Sequence, residues 1–321
     1  MDDPITRLVH DAVAEVEPTD RLAGIRSRVA TRARHRLRTA AGGTALVAAA
    51  AVAVGSVVAG GPGDDAEDPA APPARVAVPA YYVGDGVAGA VLFREFVDLP
   101  ASVPRADRAA RVLTGTPGDP DYRTLWPQGS LGAVRVDGGT ATIEVTDPAL
   151  AERPAGMGDR EAELALQQVV HTVDGVFSER LAVAFVAGGR PLPTVLGEPA
   201  APAVARADGF DVLSLMSITY PYEGAEVSGS FVAEGVNNGF EASALWSITD
   251  ASGREVLRGH AQAQGWGKDR VWWPWRSEAI DVSGLPPGGY TFRAENDDPS
   301  GGTEGLGPAS DTRAIIVEPA P

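Results

Sequence analysis

The chain has no cysteine. Disulfides, a thiol nucleophile and a cysteine metal site are therefore excluded, as is a lipoprotein anchor, which needs a cysteine to acylate. Lysine is nearly missing too: Lys268 is the only one. Histidine is confined to His10, His35, His171 and His260, whereas a zinc centre needs three or four nitrogen or sulfur ligands brought together. HExxH, GxSxG, SxxK and GxxxxGK[ST] do not occur, so the spacings that build metalloprotease, serine-hydrolase and phosphate-cradling sites are missing. The expectation is a protein that is not an enzyme and holds no cofactor or metal.

What is present is enough for two domains and tails: 321 residues, 44% of them hydrophobic. The net charge of −16 is uneven; residues 1–39 carry a net +2 and the remainder −18. A surface that acidic repels a phosphate backbone, so no nucleic-acid partner is expected.

Residues 39–63 form an uncharged run of 25 residues, about 37 Å as a helix and sufficient to cross a bilayer. Seven arginines and no acid occupy residues 21–38, and four acids and no base follow in residues 63–74. Basic residues stay in the cytoplasm. A transmembrane helix is expected at 39–60, with residues 1–38 as an Arg-rich helical segment in the cytoplasm and everything after the span outside the cell membrane. A cleaved signal peptide, ending near Val57-Val58-Ala59, is disfavoured because its leader would be far longer than the usual ~15–30 residues. Within the cytoplasmic segment Ile5, Leu8, Val9, Ala12, Val13 and Val16 recur at helical spacing.

Residues 61–75 are a Gly/Pro/Ala/Asp linker, and a second composition break falls at 201–208. They delimit domains at 76–200 and 209–318. The first reads ββαββαβ, an α+β domain with helices on a mostly antiparallel or mixed sheet. Pro104 opens its first helix, Asp159 caps the second, and Val134/Val136 and Ala141/Ile143/Val145 flank a hairpin turn at Asp137-Gly138-Gly139. The second has no helical stretch; about seven short strands between Gly/Pro/Asn/Asp turns predict an all-β sandwich of immunoglobulin type.

Several stretches resemble known families. YYVGDG…LFREFVDLP, RAARVLTGTPGDPDYRTLWPQG, VRVDGGTATIEV and ALQQVVHTV resemble the sporulation and spore germination domain of GerM-type proteins. ITYPYEGAEVSG, NNGFEASALWSITDASG, Trp272-Trp273-Pro274-Trp275 and GLPPGGYTFRAE resemble the immunoglobulin-like domain that often follows it in bacteria. The resemblance implies an exported, non-enzymatic envelope protein whose relatives build assemblies between membranes, with no catalytic or ligand residues to carry over. It also implies that Trp275 is a buried aromatic. The arginine-rich arm and the missing cysteine depart from the germination pattern and point to general envelope biology.

Three stretches are candidate sites. Asp119 and Asp121, in GTPGDPDYRTLWP, are acidic neighbours; the Pro and Gly around them favour a turn over a glycosidase pair, with one of the two orienting Arg123. AENDDPSGGTEG, residues 294–305, clusters oxygens without the alternating calcium-loop spacing and reads as an interstrand loop. Most distinctive is GWGKDRVWWPWRSE, residues 265–278, with four of the six tryptophans. In a strand Trp273 and Trp275 share one face and Trp272 the other. Trp266, Trp272 and Trp273 are therefore the candidate contacts for a partner protein or for peptidoglycan or another glycan. The leading expectation is a single-pass envelope scaffold acting through protein–protein interaction; the alternative is a cell-wall glycan-binding module.

Overall fold

The computed structural model describes residues 74–239, 242–267, 270–298 and 307–319, all within one compact unit. The segments expected at 1–38 and 39–60, and most of the linker at 61–75, lie outside the described residues. Among the described residues no helix is long and apolar enough to cross a membrane.

The first half opens with a long antiparallel hairpin, β1 (Arg75–Gly86) and β2 (Gly89–Pro100). Helix α1 (Arg105–Leu113) follows, entered through Pro104 as its N-cap residue. Strands β3 (Leu131–Asp137) and β4 (Thr140–Val145) then join through Gly138 and Gly139, whose φ angles are 54° and 79°. A two-residue hairpin loop with positive φ at both centres is open to glycine without strain. Helix α2 (Asp159–Phe177) crosses to β5 (Ala182–Ala187), which lies parallel to β4, and the two-residue β6 (Arg190–Pro191) closes a mixed sheet ordered β3-β4-β5-β6. The element order is the expected one as far as β5; β6 and a small hairpin of β7 (Thr194–Val195) and β8 (Glu198–Pro199) follow it, and the strands divide into three sheets, β1-β2, β3-β4-β5-β6 and β7-β8. The β1-β2 hairpin stays separate because β1 gives its other edge to the loop after α1, through paired bonds between Val83 and Arg123 of 2.9 and 2.8 Å.

Helix α2 is the axis of this half. Its N-cap is Gly158 rather than the expected Asp159, and the Glu161 carboxylate reaches back to accept the Gly158 N–H. Ala162, Ala165, Leu166, Val169, Val170 and Val173 face a core that includes Tyr82, Leu113, Ile143 and Phe185. The opposite side is buried as well, which an amphipathic helix would leave wet. Its polar groups are met by flanking loops: Gln167 bonds Ala205 O and Ala207 N, Gln168 bonds Thr124, and Asp174 accepts from Leu181 N and Arg206. The segment 201–208 is thereby tied to the first half, and Val204 also pairs with Val183.

The second half begins with a short helix, α3 (Gly209–Val212), started by the Asp208 carboxylate accepting the Phe210 N–H. This corrects the expectation of a second domain without helical residues; an Asp two residues before a free N–H is enough to nucleate one turn. Eight strands follow: β9 (Met216–Tyr220), β10 (Ala225–Val227), β11 (Ser230–Asn237), β12 (Ser243–Asp250), β13 (Glu255–Ala263), β14 (Trp273–Asp281), β15 (Gly288–Asn296) and β16 (Ser310–Val317). They are hydrogen-bonded in the order β10-β16-β15-β12-β13-β14-β11-β9, and the sheet curls until β9 packs on β15 and β16. Only β10 and β16 pair in parallel. The result is a half-barrel or sandwich of immunoglobulin type, filled by Met216, Phe231, Ile248, Trp275, Phe292 and Ile315.

Indole rings in this half face glycines. Gly235 is paired across the sheet with Trp275, and Gly259 with Trp246. A Cβ on Gly235 would sit 2.4 Å from the Trp275 ring and 2.3 Å from the Ser217 carbonyl, and one on Gly259 would sit 2.4 Å from Trp246. The glycine supplies the depth that lets a ring lie flat on the neighbouring strand. Gly235→Ala is therefore expected to destabilise the fold by about 3 kcal/mol, the upper range for overpacking. Gly284→Ala, with no atom within 4 Å of its Cβ, should move the urea midpoint little. Equal midpoints for the two variants would disprove the account.

Candidate functional site at the domain junction

Strand β16 places two charges in the register of its apolar residues. Asp311, Arg313, Ile315 and Val317 all point inward, and Arg313 is 3% exposed. The signal is in the sequence: in DTRAIIVE the Asp and Arg are in phase with Ile315 and Val317. A charge at a core position demands a partner, and here it comes from the other half of the chain. Arg313 Nη1 donates to Asp119 Oδ2 (2.7 Å), to Asp311 Oδ1 (2.8 Å) and to the Tyr122 hydroxyl (2.8 Å). Tyr122 in turn donates to Asp311 Oδ1 at 2.5 Å. The other Asp311 oxygen accepts the Ile218 N–H, and Arg313 Nη2 reaches the Ile218 carbonyl.

The loop that presents Asp119 and Tyr122 is itself held. Asp119 Oδ1 accepts Asp121 N, closing the turn expected from its Pro and Gly. Glu95 accepts the N–H groups of Gly118 and Asp119 at 3.1 and 2.8 Å. The Tyr122 ring stacks on Phe93 at 4.9 Å, and Asp121 accepts the Thr312 hydroxyl. The expectation that Asp119 or Asp121 orients Arg123 is thus corrected. Arg123 stands near Asp85 and Glu161, both at 3.7 Å, because its backbone is pinned to β1 and its side chain leaves the junction. Burial, the larger influence, holds the Asp119 and Asp311 carboxyls above the usual range, and Arg313 opposes it. Burial raises Glu95 in the same way.

Beside this hub the halves enclose a cleft of about 470 Å³ whose walls include Tyr81, Arg94, Arg180, Arg206, Arg270 and Trp272. Arg94 fixes one wall: its Nη2 donates to Thr219, its N–H and carbonyl meet the Ser217 hydroxyl, and its guanidinium lies 4.8 Å from the Phe96 ring centre. Its Nε is buried with no hydrogen-bond partner. Arg206 is paired with Asp174 at 3.0 Å and Arg270 with Asp208 at 2.6 Å. Behind Tyr81, His171 is fully buried with both ring nitrogens unpartnered, its centroid 5.3 Å from the Tyr81 ring. Burial first, then Arg206 and Arg180, push its pKa down to about 3.

The tryptophans separate. Trp275 is core. The strand starts at Trp273, so Trp272 precedes it. Trp273 is half-buried over Gly265, and its indole N–H donates to the Trp266 carbonyl at 3.2 Å. Trp272 is half-buried against α3: its N–H donates to Ser214 O at 2.7 Å, and its ring meets Gly209 and Phe210. Trp266 is 48% exposed. The three expected contact residues thus do not form one face, and only Trp272 borders the cleft. The arginines around it have no sequence signature: they stand 86, 26 and 64 positions apart along the chain and carry no shared motif. Among the described residues no group of His, Asp and Glu is arranged to hold a metal.

Residues 79–193 match the family model described as sporulation and spore germination, and residues 215–303 the one described as immunoglobulin-like domain of bacterial spore germination. A search of the curated proteins finds no match. Among solved structures the chain is similar to the tandem GerMN domains of the sporulation protein GerM from Bacillus subtilis, at 16% identity and a TM-score of 0.33, over 65% of this chain and 62% of that one. It is also similar to CopC from Methylosinus trichosporium OB3b, at 18% identity and a TM-score of 0.22, over 32% of this chain and 94% of that one.

Two outcomes follow from the geometry. Arg313→Met leaves two buried carboxyls without their cation and should destabilise the chain by about 3–5 kcal/mol in urea unfolding. Arg313→Lys should recover only part of that loss, since an ammonium cannot span the acceptors a guanidinium fork reaches; full recovery by lysine would refute the hub. His171 gives a pH dependence. Its folded pKa lies below the unfolded value of 6.5, so the unfolded chain takes the proton first. The stability it contributes is complete above pH 6.5 and is lost as pH falls toward 3, on the order of a few kcal/mol. His171→Leu should flatten that part of the stability–pH curve relative to wild type, and a parallel curve would disprove the assignment.

Proposed function

We propose that the two domains, which match the family models of sporulation and spore germination and of the immunoglobulin-like domain of bacterial spore germination, work as one rigid component of an envelope assembly, acting through protein–protein contact. The observation that carries this reading is the buried hub of Arg313, Asp311, Asp119 and Tyr122. A hub buried this deeply locks the mutual orientation of the two domains, and an assembly part must hold its orientation when a neighbour pushes on it. The site chemistry supports the same reading. The acidic neighbours Asp119 and Asp121 are consumed by the junction, and His171 is sealed away from solvent. In this proposal residues 39–60 span the cell membrane, the arginine-rich arm remains inside, and the domain pair stands outside.

The glycan reading is the alternative, and Trp266, exposed at the surface, is the residue that would serve it. Trp272 is a poor probe of it, since its indole N–H already ties the Ser214 carbonyl. The test uses the full chain in its native membrane. Crosslinking followed by size analysis should place it in complexes larger than a monomer, with the folded domains open to protease added outside the membrane. A monomer, or domains protected by the membrane, would overturn the proposal. So would tight binding to purified peptidoglycan that Trp266→Ala abolishes.

A further inference from the structure

We propose that the cleft between the two domains binds a small organic anion, a saccharide that carries a carboxylate or a phosphate. The argument begins with charge. The sequence after residue 39 has a net charge of −18, yet Arg94, Arg180, Arg206 and Arg270 converge on one cleft with Asp208 as its acidic lining residue. Two of the four are occupied, Arg206 by Asp174 and Arg270 by Asp208. Among the described residues, Arg94 and Arg180 have no carboxylate partner. Arg94 is held in the wall by Thr219, Ser217 and the Phe96 ring, so its charge borders the cleft without a carboxylate to neutralise it. Guanidinium groups match the planar or tetrahedral oxygens of carboxylate and phosphate.

The rest of the lining sets the remainder of the ligand. A cleft of about 470 Å³ is of the size that takes a small molecule, not a polymer duplex. Tyr81 and Trp272 contribute aromatic surface to the wall, the Trp272 N–H being engaged by the Ser214 carbonyl, while the Ser214 and Ser217 hydroxyls are already held by Met216 and Arg94. Aromatic surface beside guanidinium groups suits a sugar ring that carries an anionic group. The walls come from both halves of the chain, so a ligand held there touches both domains at once. This inference stands apart from the assembly reading: a chain that assembles but ignores anions loses only this site.

The test is calorimetric titration and thermal melting of the purified full chain with glucuronate, glucose 6-phosphate, glucose and inorganic phosphate. Glucuronate and glucose 6-phosphate should each raise the melting temperature, and the better of the two identifies the preferred anion. That sugar should bind at least about tenfold more tightly than glucose or inorganic phosphate, as expected for a charged hydrogen bond added to a ring contact. Arg180→Gln, an exposed residue on the rim, should weaken it by about tenfold without changing the ligand-free melt, and Arg94→Gln should weaken it further. If Arg94→Gln does not fold, Arg180→Gln alone carries the test. The proposal is overturned if neither anionic sugar binds at millimolar concentration, if glucose or inorganic phosphate binds as tightly, or if Arg180→Gln binds like wild type.

Discussion

The Arg313 guanidinium organises the protein, because it is a cation that cannot reach water. Its acceptors come from three parts of the chain: Asp119 and Tyr122 from the loop after α1, Asp311 from its own strand, and the Ile218 carbonyl from β9. An apolar contact between domains would bury surface in many orientations of similar energy. A planar fork with fixed donors is satisfied in one. Buried ion pairs are weak contributors to net stability when compared with well-packed apolar residues. What this one contributes is register between halves of the chain that share no sheet. The cluster is withdrawn from solvent, and this burial raises the carboxyl pKa values around the arginine in spite of its charge.

Strand β9 connects the hub to the cleft. Its alternation sends Met216 and Ile218 into the sandwich, and Ser217 and Thr219 toward the first domain. The backbone of Ile218 closes the Arg313 network, while the hydroxyls of Ser217 and Thr219 hold Arg94 in the cleft wall. Five residues thus serve a core, a charged junction and a polar cleft because a strand has two faces and a free backbone edge.

What was readable in the sequence was local. The Gly138-Gly139 hairpin, the apolar stripe of α2 and the strand succession of the second half are patterns within a few residues of one another, and each has a periodicity or turn chemistry to announce it. The burial of Trp275 was readable too, though the reason lay elsewhere: the ring fits because Gly235, forty positions earlier, makes room for it. The hub was half-readable. Asp311 and Arg313 in phase with Ile315 and Val317 announce buried charge, but nothing near them names Asp119 and Tyr122, 194 and 191 positions away. The cleft had no signature at all, since arginines on one strand and three separate loops lie together only where the two domains meet. The separation of the β1-β2 hairpin from the mixed sheet has no signature for a similar reason: β1 spends its edge on Arg123, a loop residue with no strand pattern around it.

The hub and the cleft constrain each other. Tyr81, Arg94, Arg180 and Arg206 stand on one domain, and Arg270 and Trp272 on the other, so the spacing of the walls is set by the junction. The junction also buries Val83, Leu92 and Leu164 of the first half against Val212 of the second, and the Arg313 network sets the register at which they meet. Anything that touches both walls therefore acts on the same equilibrium as the hub, because a ligand that binds only the closed arrangement stabilises it by mass action. The junction and the cleft are then not two properties but one: the charge that sets the register of the two halves also gives the space beside it a defined shape.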